Sequence, residues 1–222
     1  MATQHELFTE ARNCMVDSQI RPNRVVDQRV LSAMRTIPRE LFLPPNVQAL
    51  AYVDEDVPLG NGRFLMEPMV FARMLQAANL RENEQVLIVG VGSGYSAAVL
   101  NACGCRVTAL DEDRDLLSMA DAALPREAIG VTLVAGPLAA GWPPHAPYDL
   151  ILIEGAVPGI PSALSAQTNQ DSGRILAAIY GEGRITQAVI AEVTPFGVGI
   201  SPLFDCATHP IPSLRKAPVF AF

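Results

Sequence analysis

Between Gln85 and Tyr180 the sequence alternates apolar runs of strand length with helix-compatible segments. QVLIVG, CRVTALD, VTLVA, YDLILIEGA and RILAAIY read as strands. SGYSAAVLNAC, DRDLLSMADAAL and a segment near 161–168 read as helices. Continuous apolar strands alternating with helices predict a parallel sheet covered on both faces. ITQAVIAEV and GVGISPLFD then predict two more strands in a hairpin-like closure. The expectation is a doubly wound, mostly parallel α/β domain over 81–222, behind an N-terminal helical cap and loop over 1–80. A chain of 222 residues, 50% hydrophobic, can bury such a core.

Ahead of the sheet, residues 6–20 show loosely helical apolar spacing that Arg21-Pro22-Asn23 breaks. Asp27 is placed to cap a second helix through about Arg35. Residues 57–62 (VPLGNG) read as turn-like, and Glu67-Pro68 opens a helix with proline in its first turn. A net charge of −7 with scattered basic residues argues against a nucleic-acid partner. The N-terminal residues lack the pattern of a secretory signal, and no apolar stretch approaches membrane-spanning length, so the expected location is cytoplasmic. Cys103 and Cys105 flank Gly104 without a second pair or nearby histidine to complete a zinc spacing, so no metal is expected. His5, His145 and His209 read as solvent-facing or structural.

Gly90, Gly92 and Gly94 follow a strand and open a helix. A helix N-terminus offers unpaired N–H groups and positive potential, and missing side chains let a ligand rest on the backbone. Asp111 lies at the end of the next strand, where a carboxylate can accept from both hydroxyls of a ribose. The pattern is G-x-G-x-G. Tyr95 stands where a dinucleotide loop has its third glycine, and no G-K-[ST] follows. The pattern suits a nucleoside without a pyrophosphate, such as S-adenosyl-L-methionine. A tight strand-to-helix turn with no ligand is the competing reading.

These blocks resemble the protein-L-isoaspartate O-methyltransferase family, in a divergent bacterial branch. Residues 15–44 are similar to its N-terminal helices and 51–75 to its substrate loop and following helix. VLIVGVGSGYSAAVL is similar to its cofactor loop, and 136–156 to its later motifs. The resemblance implies a Rossmann-like methyltransferase sheet, S-adenosyl-L-methionine as cofactor and an isoaspartyl protein or peptide as acceptor. Cofactor contacts are expected at Gly90, Val91, Gly92, Gly94, Asp111, Glu112, Pro137, Leu138 and Glu154, and acceptor contacts at Leu65, Met66 and Arg73. Trp142 has a family counterpart read as core packing, and the closing PVFAF is similar to a last strand of the branch.

The departures bear on function. The family's Thr-Ile-Ser-Gln-Pro is here Phe64-Leu65-Met66-Glu67-Pro68, so two hydroxyls are gone and Gln has become Glu. The acid before the first glycine is Val89, and the Gly-Asp-Gly at the adenine edge is Gly136-Pro137-Leu138. Glu154 is a candidate replacement anchor for the cofactor's amino group. Glu67 has three readings: a solvent-facing cap of the helix at Pro68, a contact to the charged end of the cofactor, or a catalytic base toward a protonated acceptor. Arg73 reads as a structural ion-pair partner or a carboxylate clamp. The alternatives to isoaspartyl methylation are a different acceptor with Glu67 as base, or a non-catalytic nucleoside-binding relative.

Overall fold

The structure is a computed structural model that describes residues 3–125, 128–181 and 183–215. Helix α1 (Gln4–Met15) starts at a capping box between Thr3 and Glu6. It runs into a π-helical turn, Val16–Ile20, and ends at a 3-10 turn, Arg21–Asn23. The expected single helix over 6–20 therefore changes geometry at Met15. Helix α2 (Gln28–Thr36) is capped by Asp27, whose side chain accepts from the Arg29 N–H at 2.9 Å.

The turn-like expectation for residues 57–62 is corrected by the strands found over 57–65. They form an antiparallel hairpin of β1 (Val57–Gly60) and β2 (Arg63–Leu65). Asn61 and Gly62, with φ of 52° and 71°, make the connection. Two central residues at positive φ match the twist of flanking strands, which is why Asn-Gly selects a hairpin. Helix α3 (Pro68–Ala78) follows, closed by Asn79 in the left-handed conformation.

The sheet comprises β3 (Gln85–Val89), β4 (Arg106–Asp111), β5 (Val131–Ala135), β6 (Leu150–Val157), β7 (Arg174–Gly181), β8 (Arg184–Thr194) and β9 (Gly197–Asp205). Its order is β5-β4-β3-β6-β7-β8-β9, parallel as far as β7 and antiparallel beyond. Helices α4 (Tyr95–Ala102), α5 (Arg114–Ala123) and α6 (Ser162–Ala166) connect the parallel strands. Alternate residues of the central strands feed two apolar clusters. Val86, Ile88, Leu150 and Leu152 join one, and Leu87, Val89, Ile151 and Ile153 the other. The first cluster also holds Met15, Val16, Ile20, Val30 and Met34, so the N-terminal helices and the sheet share one core.

No helix among the described residues is long and apolar enough to cross a membrane. The closing PVFAF lies outside the described residues.

Candidate functional site: a nucleoside cradle at the switch point

The strand order reverses between β3 and β6, and the carboxyl ends of strands at such a point form a crevice. Gly90 follows β3, Asp111 ends β4 and Glu154 lies in the second half of β6. Gly90, Gly92 and Gly94 have φ of 78°, 58° and 91°, a region that side-chain-bearing residues rarely adopt. The turn is held from below, as Gly90 and Val91 donate to the Leu110 carbonyl at 2.9 and 3.1 Å. The parts expected from the glycine pattern and the following acid are thus together.

Their surroundings differ from an open cradle. Asp111 is fully buried, and its acceptor positions are taken. Oδ2 accepts from the Gly92 N–H at 2.8 Å, and Oδ1 accepts from the N–H groups of Glu112 and Asp113. Oδ1 also accepts from Arg63 Nη1 at 2.9 Å, while Arg63 Nη2 donates to the Gly90 carbonyl at 2.8 Å. The alternation Val57, Leu59, Arg63, Leu65 turns this guanidinium inward with the apolar face of the hairpin.

Side chains fill the space before each bare backbone position. A Cβ on Gly90 would meet Arg63 Nη2 at 3.0 Å and Ile211 Cδ1 at 3.2 Å, and one on Gly92 would meet Leu59 Cδ1 at 2.9 Å. A Cβ on Gly155 would lie 2.5 Å from Ile211 Cγ1. Ile211 belongs to a strap, residues 208–211, that docks on β6 through Ala156. The Ala156 N–H donates to the His209 carbonyl and the Ile211 N–H to the Ala156 carbonyl. Leu138, at the adenine-edge position, is buried in the same cluster as Ile211, whereas Pro137 and the Glu112 side chain are exposed.

About 10 Å³ of space remains between hairpin, strap and the end of β6, room for about one water. Ligand clefts of nucleoside size run to several hundred Å³. Arg63, Leu59 and Ile211, lying over Gly90, Gly92 and Gly155, close this end of the crevice, although the backbone and acid of the glycine turn are in place. A larger groove of about 790 Å³ opens at the other end of the sheet, beside Gln85 and Arg106. Ligands of open α/β sheets bind at the carboxyl ends, so that groove is not the cradle.

Glu154 does not face an open cleft. It is buried, accepts from the Ser96 hydroxyl, and burial pushes its carboxyl up to about 8. Glu67 corrects the capping expectation. It occupies the cap position of α3, but its side chain makes no capping bond. Partial burial, with Asp54 and Asp56 alongside, raises its carboxyl to about 7. Asp56 gathers three donors: the Glu67 N–H at 2.7 Å, the His209 N–H at 2.9 Å and His209 Nδ1 at 2.9 Å. His209 also stacks on Phe64, ring centroids 3.8 Å apart, tying the strap to the hairpin.

Leu65 and Met66 are both buried. The Met66 carbonyl accepts from Arg39 Nη2 at 2.7 Å, and Arg39 Nε–H donates to the Ala51 carbonyl at 2.7 Å. Arg39 is wholly buried, with its guanidinium 4.8 Å from the centre of the Tyr95 ring. Arg73 makes no ion pair among the described residues. Its guanidinium lies 3.7 Å above the Phe204 ring, on the β9 side of the molecule. Trp142 packs against the second cluster, as expected of core. Cys103 and Cys105 are buried free thiols, pushed up to about 12 by burial. Among the described residues no three His, Cys, Asp or Glu side chains form a metal-binding group.

Sequence reasoning missed Arg63 and the 208–211 strap. An arginine on the apolar face of an Asn-Gly hairpin was a readable signal for the first, because a buried cation needs a buried acid.

The profile of the protein-L-isoaspartate(D-aspartate) O-methyltransferase family matches residues 10–192. The chain is 38% identical over 169 residues to a protein-L-isoaspartate O-methyltransferase of Methanoculleus marisnigri, covering 76% of each chain. It is 40% identical over 174 residues to one of Methylorubrum extorquens, covering 78% of this chain and 76% of that one. In structure it superposes with a TM-score of 0.75 on a Plasmodium falciparum protein described as a protein-L-isoaspartate O-methyltransferase, solved with S-adenosyl-L-homocysteine. That match has 15% identity and covers 91% of this chain and 98% of the other, so it speaks for the fold alone. With a glycine turn, an acid on the neighbouring strand and a family match over residues 10–192, the chain belongs to the protein-L-isoaspartate(D-aspartate) O-methyltransferase family.

Proposed function

We propose that this chain is an S-adenosylmethionine-dependent O-methyltransferase whose acceptor is the carboxylate of an isoaspartyl protein or peptide. The observation that carries it is the bare positive-φ turn Gly90–Gly94 with Asp111 bonded to the Gly92 N–H, set at the switch point of a family-matched sheet. Bound S-adenosylmethionine would supply a methyl group on a sulfonium. The cradle is closed in this arrangement, so the reading requires the hairpin and the strap to move before the nucleoside enters.

On the acceptor side the chain's own residues set the terms. A carboxylate is ionised at pH 7 and needs alignment and water exclusion rather than a base. Met66 has no hydrogen to donate, so orientation falls to other groups. A charged Glu67 near the acceptor would repel it, and its carboxyl, raised to about 7, carries less of that charge at neutral pH than an ordinary glutamate.

That same property favours a second reading. A carboxyl near 7 is matched to proton abstraction, work that an amine or hydroxyl acceptor needs and a carboxylate does not. The test is transfer of labelled methyl from S-adenosylmethionine to an isoaspartyl peptide, beside amine and hydroxyl acceptors. A base-labile methyl ester on the peptide is the expected product. Turnover confined to the amine or hydroxyl acceptors would replace this reading with the second.

A further inference from the structure

The geometry points to Arg63 as a built-in competitor for the nucleoside cleft: its guanidinium occupies Asp111 and the Gly90 carbonyl, and must leave them before a ribose can bind there. The inference rests on the proposed methyltransferase reading and concerns how that site is gated. Three observations converge. The first is the salt bridge itself, 2.9 Å long, with side-chain exposures of 7% for Arg63 and 0% for Asp111. In the closed state the carboxylate that a ribose would use is already satisfied by four donors.

The second is the matched filling of volume. Leu59 lies over Gly92, Arg63 and Ile211 lie over Gly90, and Ile211 lies over Gly155. Hairpin and strap, far apart in sequence, close the same cleft from two sides. The third is the tether between them. Asp56 precedes the hairpin and accepts from both the backbone and the ring of His209, and Phe64 of the hairpin stacks on that ring. The two closing pieces are therefore coupled, and opening one loosens the other.

A protein whose binding-competent state is only fractionally populated binds more weakly by that fraction. Arg63→Gln takes the cation from the closed state and leaves Asp111 buried without its charge partner, which shifts the population toward the open form. His209→Ala loosens the tether by removing the ring's bond to Asp56 and its stack on Phe64, and leaves Arg63, Leu59 and Ile211 unaltered. Titration of S-adenosylhomocysteine into the full chain by calorimetry tests the idea. Arg63→Gln is expected to bind at least tenfold more tightly than the parent chain, and His209→Ala at least threefold more tightly. Amides of residues 57–65 in ligand-free His209→Ala should also exchange faster with deuterium.

Dissociation constants within twofold of one another, or weaker binding by the variants, would overturn the gate and leave the methyltransferase reading standing. Absence of binding by all three proteins would overturn that reading and the gate together. Should Arg63→Gln fail to fold, the surface variant His209→Ala decides alone.

Discussion

Arg174 grips Glu84 with both terminal nitrogens, each 2.9 Å from a different carboxylate oxygen, and gives its Nε–H to the Ala78 carbonyl at 2.6 Å. The start of β7 is thereby pinned to the end of α3 and the entry to β3. The pair is almost fully buried, so each charge depends on the other. Removing one partner from such a pair costs about 3–5 kcal/mol. Glu84→Gln should lower the unfolding free energy by about that amount in denaturant titrations. A change below about 1 kcal/mol would mean the pair is dispensable.

Glu154 makes stability depend on pH. Its carboxyl is near 8 in the folded chain, against an ordinary value of 4.5. Between those values the native state holds a proton that the unfolded state has released, so stability is fully present below pH 4.5 and is lost as pH rises toward 8. The whole effect is at most about 5 kcal/mol, at roughly 1.4 kcal/mol per pH unit of separation. Glu154→Gln should flatten the fall measured between pH 5 and 8. Parallel curves for the two proteins would remove Glu154 as the cause.

Met66→Ser puts a hydroxyl back beside the expected acceptor position. If the acceptor is a carboxylate, transfer to an isoaspartyl peptide should rise by about tenfold, the worth of one hydrogen bond to a charged group. The same change trades a buried thioether for a hydroxyl and should cost about 1–3 kcal/mol of stability. An unaltered rate would exclude this position from acceptor alignment.

Glu67 gives a pH signature that separates the two acceptor classes. For a carboxylate acceptor, transfer should fall as pH rises through about 7 and Glu67 ionises. For an acceptor that must lose a proton, the rate should climb through the same range. Glu67→Gln should flatten the first profile and abolish the activity behind the second. Rate profiles from pH 6 to 8 read the difference directly.

Arg73→Ala removes a stacked cation–ring contact with Phe204 of β9. The expected loss is about 0.5–1 kcal/mol of stability. The dissociation constant for an isoaspartyl peptide should stay the same. A weakened peptide affinity would restore the clamp role that the sequence suggested for this residue.

Much of the architecture was legible because its determinants are local. Apolar strands, small-residue helices and Asp27 as a cap each act within a few residues. The glycine turn was legible too, since positive φ at Gly90, Gly92 and Gly94 is a backbone demand that only one residue type meets cheaply. What stayed hidden depends on distant pairs. Arg63 reads as an ordinary surface cation until the hairpin turns it toward an acid forty-eight positions away. Ile211 reads as one more apolar residue near a chain end, and nothing local says that it will lie against Gly155. Arg73 misled for the complementary reason: its position beside the substrate loop suggested a charged partner, whereas the fold offered it a ring from β9.

The apolar cluster that runs from Met15 and Met34 across to Ile88 and Leu152 has a practical corollary. A fragment beginning at residue 81 would present one flank of its central strands as bare hydrocarbon and would clump rather than refold. Heating the intact chain should therefore melt the leading helices and the sheet as one event. Damage to the first eighty residues would reach the cleft by collapsing its floor.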